Sequence, residues 1–439
     1  MRLIIPCLAS FLLTAIITPF IIRLATACKC LDTPGERRLH SKITPRWGGA
    51  AFFAGVLPFL LIENESGTLT AFIAAACILV GMGMIDDLKS LGWKSKFAGM
   101  AAAAAIVMFG GDITVHSIGT YGSFGQVELG WFSIPFTFLS IVGITNAINL
   151  LDGLDGLAGG VSLLGFLFMG IAAALTGNVM VAVICFAFVG ALAAFLLFNF
   201  PNARIFMGDT GSLFLGFSLS ITALLLTQDP KSSVDSMFPV LVLLIPIFDT
   251  LRVLLVRLLN GKNPFQADNL HLHYLIVQKN ISPVNVTILF WSLTAIFGGI
   301  GLSLTGSPST AYLNVALYAS SLLVLFAASL THSPKTRVEG RHGTTQLPTV
   351  METVSARFSS HKTTNTGFTR KGEMMKVKWI VILGVLLLPA QAFAGNSAVL
   401  KAEQNINNHG VGASPARNFK QEGTVMETNL GNVESADVK

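Results

Sequence analysis

The sequence predicts an all-α polytopic membrane protein with about eleven transmembrane helices. Of its 439 residues, 52% are hydrophobic and only 12% are charged, and the mean hydropathy is +0.67. Eleven apolar runs follow one another between residues 3 and 331, each near the ~20 residues that a bilayer-spanning helix needs or somewhat shorter. Lys and Arg are concentrated in alternate connections between the runs, as the positive-inside rule expects.

The apolar runs are separated by connections of very different polarity. They cover residues 3–25, 48–62, 68–85, 97–111, 130–150, 157–176, 179–200, 212–227, 236–258, 284–304 and 311–331. The runs 48–62 and 97–111 are short and are expected to extend into their flanks. Residues 112–128 combine glycines with alternating apolar residues, which predicts a hairpin.

The distribution of basic residues predicts the orientation. One alternate set of connections contains fourteen Lys or Arg, and the other contains only Arg2 and Lys231. Because basic loops remain in the cytoplasm, the N-terminus is predicted to be periplasmic. Every polar cluster of residues 1–331 then falls on the cytoplasmic side, so the active site is expected on cytoplasmic loops.

Residues 332–439 differ in character from the predicted transmembrane domain, residues 1–331. They contain thirteen Lys or Arg and eight Asp or Glu, and so carry most of the net charge of +6. The basic balance therefore gives little support to a nucleic-acid partner. Residues 332–373 read as a disordered basic linker, 374–394 as a signal-peptide-like or additional transmembrane segment, and 395–439 as a polar disordered tail.

The stretch from Asn146 to Ala158 places charged residues between two apolar runs. Carboxylates this close to a bilayer are costly, so a functional site is the first hypothesis, with a polar connecting loop as the alternative. Asp152 and Asp155 would share a face if this stretch were helical. Gly153 and Gly156 would let the backbone approach a ligand closely.

Two further acidic clusters border apolar runs. Asp86 and Asp87 precede Lys89 at the end of the third run, and Asp209 precedes the eighth. Mg²⁺ takes one or two carboxylates together with substrate oxygens, so both clusters suit a metal and a phosphate. Thr210 or Ser212 can N-cap the helix of the eighth run, which would leave Asp209 at its positive end for a metal or phosphate. The alternatives are a solvated helix end with a salt bridge for the first cluster and a helix-capping aspartate for the second.

A basic and His-containing loop follows the ninth run. Arg257, His271 and His273 are suited to phosphate contact, whereas a zinc site would need more ligands. Asp249 lies three residues before Arg252, which predicts an ion pair within a helix. The clusters together indicate a metal-assisted reaction between a phosphorylated soluble substrate and a lipid. The rival class is a secondary transporter, whose sites lie near the membrane midplane, often in repeated halves.

Several motifs resemble those of the polyprenyl-phosphate N-acetylhexosamine-1-phosphate transferases. The resemblance covers about residues 1–331. It rests on Asp32-Thr-Pro, Arg37-Arg-Leu-His40, Thr44-Pro-Arg-Trp-Gly-Gly49, Asp86-Asp-Leu-Lys89, Asn146 to Gly156, Phe206-Met-Gly-Asp-Thr-Gly-Ser212 and His271-Leu-His273.

The resemblance implies transfer of a sugar 1-phosphate from a UDP-N-acetylhexosamine to polyprenyl phosphate in the bacterial inner membrane, with Mg²⁺ or Mn²⁺ as cofactor. The implied catalytic residues are Asp86, Asp87, Asp152 and Asp155, and the implied metal ligands are Asp86, Asp87, Asp152 and Asp209. The implied substrate-binding residues are Lys42, Lys89, Asn149, Gly153, Asn199, Arg257, His271 and His273.

Two features refine this expectation. The Arg37-Arg-Leu-His40 stretch and the His-x-His loop look more like the GlcNAc-1-phosphate branch, which initiates O-antigen and related polysaccharides, than the MurNAc-pentapeptide branch. Tyr274 stands where family members usually carry a third histidine, which bears on phosphate affinity or sugar choice because a tyrosine cannot become a cation. A homodimer and another UDP-N-acetylhexosamine stay open.

Overall fold

The computed structural model describes residues 2–32, 43–64, 67–121, 125–229, 232–261, 263 and 270–331. Its helices are α1 (Ile4–Ala27), α2 (Gly48–Ile62), α3 (Gly67–Lys89), α4 (Trp93–Ala105), α5 (Ser133–Leu151), α6 (Leu157–Leu175), α7 (Val179–Asn199), α8 (Gly208–Thr227), α9 (Phe238–Val242), α10 (Leu244–Leu259), α11 (Leu272–Val277), α12 (Pro283–Ser303) and α13 (Ser309–Thr331). The strands are β1 (Leu31–Asp32), β2 (Thr44–Pro45), β3 (Ser117–Thr120) and β4 (Gln126–Glu128).

The predicted all-α membrane architecture is confirmed. Within the described ranges, eight helices are long and apolar enough to cross a membrane, and α2 is a shorter apolar helix. The predicted run 97–111 falls on α4 and a five-residue π-helical turn, Ile106–Gly110. All eleven predicted runs are helical, but the number of membrane crossings stays a prediction.

The predicted run 236–258 is not one helix. It divides at Leu243 into α9 and α10. Pro246 lies in the first turn of α10. In a continuous helix its N–H would have to donate to the carbonyl of Val242, but proline has no N–H and its ring would clash with that carbonyl. The break separates a buried entry segment from α10, which buries Asp249 and Arg257.

Helix α8 lies at the centre of the bundle and packs against α2, α3, α5 and α6. Small residues allow these helices to approach closely, as is usual in membrane bundles. A Cβ atom on Gly49 would lie 2.6 Å from the backbone of Thr210, and one on Gly83 would lie 2.7 Å from the backbone of Asp209. The beginning of α8 is therefore held between α2 and α3.

Two short antiparallel pairs lie in the connections. Strand β1 pairs with β2, and the N–H of Phe206 donates to the carbonyl of Pro45 at 2.9 Å. The N–H groups of Gly48 and Gly49 donate in turn to the carbonyls of Phe206 and Met207. Strands β3 and β4 form the predicted hairpin within residues 112–128.

Helix ends bearing the polar motifs meet at one end of the bundle. The ends of α3, α5 and α7 lie there with the beginnings of α4, α6 and α8, as the hydrogen bonds between them show. Asp86, Asp87 and Asp209 thus lie at helix ends. A transporter site is expected in the middle of the bundle.

The close approach of α3 to α8 predicts different effects for two glycines of the same helix. In Gly83→Ala the new methyl group would collide with the backbone of Thr210, so α3 and α8 would have to move apart. The substitution is expected to destabilise the protein by about 1–3 kcal/mol. Gly81→Ala is the matched control, because a Cβ there meets no atom of the described residues within 4 Å. Thermal unfolding in detergent measures both, and equal midpoints for the two variants would contradict the packing.

Candidate active site

A cavity of about 910 Å³ opens at the end of the bundle where the polar motifs meet. Its walls combine acidic, basic and apolar groups, many of them from the motifs identified in the sequence. They are formed by Asp32, Ile43, Thr44, Arg46, Asp87, Asp152, Gly153, Leu154, Asp155, Asn199, Pro201, Asn202, Ala203, Arg204, Phe206, Gly208, Asp209, Tyr274, Pro283 and Val284. The cavity is within the size range of small-molecule sites.

An acidic cluster lies at the base of this site. Asp86, Asp87 and Asp209 each offer one carboxylate oxygen, and these oxygens all lie within 4.8 Å of one another. The ammonium group of Lys96 forms ion pairs with both Asp86, at 2.9 Å, and Asp209. The cluster therefore already holds one positive charge between two of its carboxylates.

Asp87 forms the N-terminal cap of α8 from a different helix. Its carboxylate accepts hydrogen bonds from the N–H of Asp209 at 3.0 Å and from the N–H and hydroxyl of Thr210 at 3.1 and 2.6 Å. The prediction that Thr210 or Ser212 caps this helix is wrong, because Thr210 donates to Asp87 and Ser212 donates to the carbonyl of Gly208. The carboxylate satisfies N–H groups that every helix beginning leaves unpaired.

Asn149 connects α5 to the same cluster. Its side-chain amide donates to Asp209 at 3.1 Å and to Ser212 at 2.8 Å. Asp209 is thus oriented by an amide on one carboxylate oxygen and by Lys96 on the other. The four predicted residues Asp86, Asp87, Asn149 and Asp209 are brought together by the fold.

The stretch between α5 and α6 is a turn and not a helix, and both of its aspartates line the cavity. Asp155 accepts a hydrogen bond from the N–H of Ala203 at 2.9 Å. Burial raises the pKa of the Asp152 carboxyl to about 8, with smaller contributions from the nearby carboxylates of Asp209 and Asp87. Asp152 therefore holds a proton more tightly than an ordinary aspartate does.

Asn199 links this turn to the connection before α8. Its amide oxygen accepts from the N–H of Gly156 at 2.9 Å, and its amide nitrogen donates to the carbonyl of Ile205 at 2.8 Å. Asn199 contributes to the cavity wall while bracing two backbone segments. Its predicted contact with substrate stays a prediction.

A second polar cluster lies behind the cavity wall. The buried Asp249 accepts from the N–H of Leu272 at 3.0 Å, and its other oxygen lies 2.9 Å from Nδ1 of His271. The predicted ion pair of Asp249 with Arg252 is confirmed at 3.0 Å. His273 is fully buried, and this burial lowers its pKa to about 3, so its ring is neutral near pH 7.

The predicted binding residues of this region are therefore buried in the described structure. Arg257 is 6% exposed, and none of Arg257, His271 and His273 is among the residues that form the cavity wall. Nε2 of His271 and both ring nitrogens of His273 are buried and have no hydrogen-bond partner among the residues that the structure describes. Such groups are unusual, and their predicted contact with substrate stays a prediction.

The remaining predicted binding residues are Lys89, Lys42 and Gly153. Lys89 is exposed at the end of α3, and Lys42 lies outside the described residues. Gly153 lines the cavity, and its lack of a side chain is required, because a Cβ would lie 2.9 Å from the hydroxyl of Tyr274 and would collide with His273.

Two cations of the site were not singled out from the sequence. Lys96 forms ion pairs with two carboxylates, and Arg46 contacts Asp32 at 2.5 Å and Asp87 at 3.7 Å. Lys96 follows Asp86 by ten residues across a short turn, so this proximity was accessible to sequence reasoning. Arg46 reaches Asp87 only through tertiary packing.

Known proteins resemble the chain over most of its described length. The profile of glycosyl transferase family 4 matches residues 69–227. A probable undecaprenyl-phosphate N-acetylglucosaminyl 1-phosphate transferase of Bacillus subtilis is 35% identical over 335 residues, which are 74% of this chain and 90% of that protein. The chain belongs to glycosyl transferase family 4.

Two less similar proteins agree with this assignment. The undecaprenyl-phosphate alpha-N-acetylglucosaminyl 1-phosphate transferase of Escherichia coli strain K12 is 28% identical over 66% of this chain and 81% of its own length. The protein of that name in Yersinia pestis is 29% identical over the same shares. The resemblance predicted from the motifs is confirmed at the level of the family.

The raised pKa of Asp152 predicts a pH-dependent effect on stability. A carboxyl that binds its proton more tightly when folded stabilises the protein at low pH, and this stability is lost as the pH rises from about 4 to about 8. Asp152→Asn is therefore expected to raise the thermal unfolding midpoint relative to wild type at pH 9, in buffer without divalent cations.

The same comparison at low pH is the control for this effect. Below pH 4 the Asp152 carboxyl is protonated in both states, so the difference between variant and wild type should largely disappear. A midpoint difference that is independent of pH would contradict the assigned pKa.

Proposed function

We propose that the protein transfers N-acetylglucosamine 1-phosphate from UDP-GlcNAc to undecaprenyl phosphate, producing undecaprenyl-diphosphate-GlcNAc and UMP. The observation that carries the proposal is the cluster of Asp86, Asp87 and Asp209 at a 910 Å³ cavity formed by the ends of membrane helices. The names of the similar transferases supply the donor sugar and the lipid. This step would begin the synthesis of a cell-surface polysaccharide such as O-antigen.

The acidic cluster fits a magnesium ion. Mg²⁺ prefers oxygen ligands and is commonly held by one or two carboxylates, and Mn²⁺ shares this preference. Asp209 and Asp86 would hold the ion, with Asp87 or Asp152 nearby; Lys96 already marks this position as one that favours a positive charge. When bound, the ion would neutralise the negative charge of the diphosphate.

The reaction itself joins two anions. An oxygen of the lipid phosphate attacks the β-phosphorus of the donor, the bond from that phosphorus to the bridging oxygen breaks, and UMP leaves. Positioning and charge neutralisation supply most of the rate in phosphoryl transfer. Lys96 and Arg46 supply positive charge beside the cluster, while Asn149 holds Asp209 in one orientation.

The proposed reaction also requires an orientation of the membrane domain. The asymmetry of fourteen basic residues against two supports eleven crossings with a periplasmic N-terminus and a cytoplasmic site. A UDP-sugar is made in the cytoplasm, so this orientation would place the cavity where the donor is available. In a bacterium the corresponding location is the inner membrane.

The direct test measures UMP release by the purified full-length protein. The assay supplies UDP-GlcNAc, undecaprenyl phosphate and Mg²⁺, and each component is omitted in turn. Release is expected only when all three are present. Parallel reactions with other UDP-N-acetylhexosamines identify the donor, and UMP release that is independent of the lipid would overturn the proposal.

Substitution of Asp209 tests the role of the cluster. Asp209→Asn removes the charge but keeps the side-chain size, and it is expected to reduce UMP release by at least about 100-fold, as loss of a principal electrostatic group does. Asp112→Asn is the matched control, because Asp112 is an exposed aspartate in the loop that leads to the hairpin. Full activity of correctly inserted Asp209→Asn would exclude this site.

A further inference from the structure

Helix α12 borders both the cavity and the turn between α5 and α6. Its first two residues, Pro283 and Val284, line the cavity wall. Thr287 and Trp291 follow one and two helical turns further along the chain. Their spacing of four residues places both side chains on one face of α12, and this face contacts the turn.

Thr287 and Trp291 each donate a hydrogen bond to the backbone of the turn. The hydroxyl of Thr287 donates to the carbonyl of Asp155 at 3.2 Å, and the indole N–H of Trp291 donates to the carbonyl of Gly156 at 3.2 Å. The two acceptors are consecutive carbonyls, and Thr287 is fully buried. Because buried backbone carbonyls need partners, these two side chains determine where this part of the turn lies.

Close packing holds the same corner of the turn. The rings of Trp291 and Phe200 have their centroids 4.7 Å apart. Gly156 has a left-handed backbone with φ of +74°, and a Cβ there would lie 2.7 Å from the ring of Phe200. A Cβ on Gly160 would collide with the ring of Trp291. The two rings therefore fit against a corner that only glycine occupies without strain.

The connection before α8 holds the turn from another side. The Asp155 carboxylate accepts from the N–H of Ala203, and the N–H of Gly156 donates to the amide oxygen of Asn199. With the contacts of α12, both the side chain and the carbonyl of Asp155 are hydrogen-bonded. This residue and Asp152, three positions before it, line the cavity.

We propose that Thr287 and Trp291 are positioning residues, which hold the turn of Asp152 and Asp155 in the geometry that binds the UDP-sugar. Neither side chain belongs to the described cavity wall, so each acts through the backbone of the turn. Groups of a binding site have to be held within about 0.5 Å by supporting hydrogen bonds. The inference rests on the proposed function for the identity of the donor.

The test compares Thr287→Val with wild type in the full-length protein. Valine keeps the branched shape of threonine and removes the hydroxyl. Loss of one neutral hydrogen bond that positions the turn is expected to raise the KM for UDP-GlcNAc about 3- to 10-fold. Thr287→Ser keeps the hydroxyl and should restore a KM close to that of wild type.

Thr294→Val is the matched control on the same helix. Thr294 is also fully buried, but its hydroxyl donates to the carbonyl of Phe290 within α12 at 2.9 Å. This variant loses a buried hydroxyl without affecting a contact to the turn, so its KM for UDP-GlcNAc should equal that of wild type. Loss of folded protein alone would lower kcat and leave the KM unchanged, which separates positioning from stability.

Trp291→Phe tests the second contact independently. Phenylalanine keeps an aromatic ring against Phe200 and removes the N–H that donates to Gly156. The KM for UDP-GlcNAc should again rise about 3- to 10-fold. This variant also provides the comparison with wild type if Thr287→Val does not fold.

The outcomes are distinct. A raised KM in Thr287→Val and Trp291→Phe, with a wild-type KM in Thr287→Ser and Thr294→Val, supports the inference. An unchanged KM in a variant overturns the role of the residue that it replaces, and an equal rise in Thr294→Val overturns the inference as a whole, while the proposed function stands. Wild-type protein that releases no UMP from any UDP-N-acetylhexosamine overturns the proposed function itself, before the variants are compared.

Discussion

The interaction on which the site depends is the capping of α8 by Asp87. A carboxylate from the end of α3 binds two N–H groups and one hydroxyl at the beginning of α8. N–H groups at a helix beginning have no partner within the helix, and that end carries a partial positive charge. Both features offset part of the cost of burying the Asp87 carboxylate. The same contact places Asp209 beside Asp86 and within reach of Lys96 and Asn149.

Close backbone packing makes this cap feasible. Gly83 and Gly49 bring α3 and α2 against the first turn of α8, and Gly208 leaves space for the carboxylate of Asp87. The acidic cluster is consequently an outcome of helix packing as much as of charge. A second group of buried polar residues surrounds Asp249. Next to it, the ring of the neutral His273 packs against Tyr274, which lies at the cavity wall.

Sequence reasoning recovered the helical architecture and the principal acidic residues. The apolar runs and the hairpin of residues 112–128 follow local rules of composition, so their positions agree with the structure. The same reasoning missed the break at Leu243, although Pro246 was a visible signal for it. It also predicted Thr210 or Ser212 as the cap of α8. A capping residue that is supplied by another helix cannot be recognised from the residues next to the helix beginning.

The sequence alone determined the family, the membrane class and the identity of the residues that bear charge. These properties depend on composition and on motifs that are continuous along the chain. The tertiary structure alone decided which charges meet: Lys96 and Asn149 at Asp209, Arg46 at Asp87, and Tyr274 instead of the histidines at the cavity wall. The physical reason is that each of these placements brings together segments that are distant in sequence, and the approach of such segments is determined by the packing of the whole bundle.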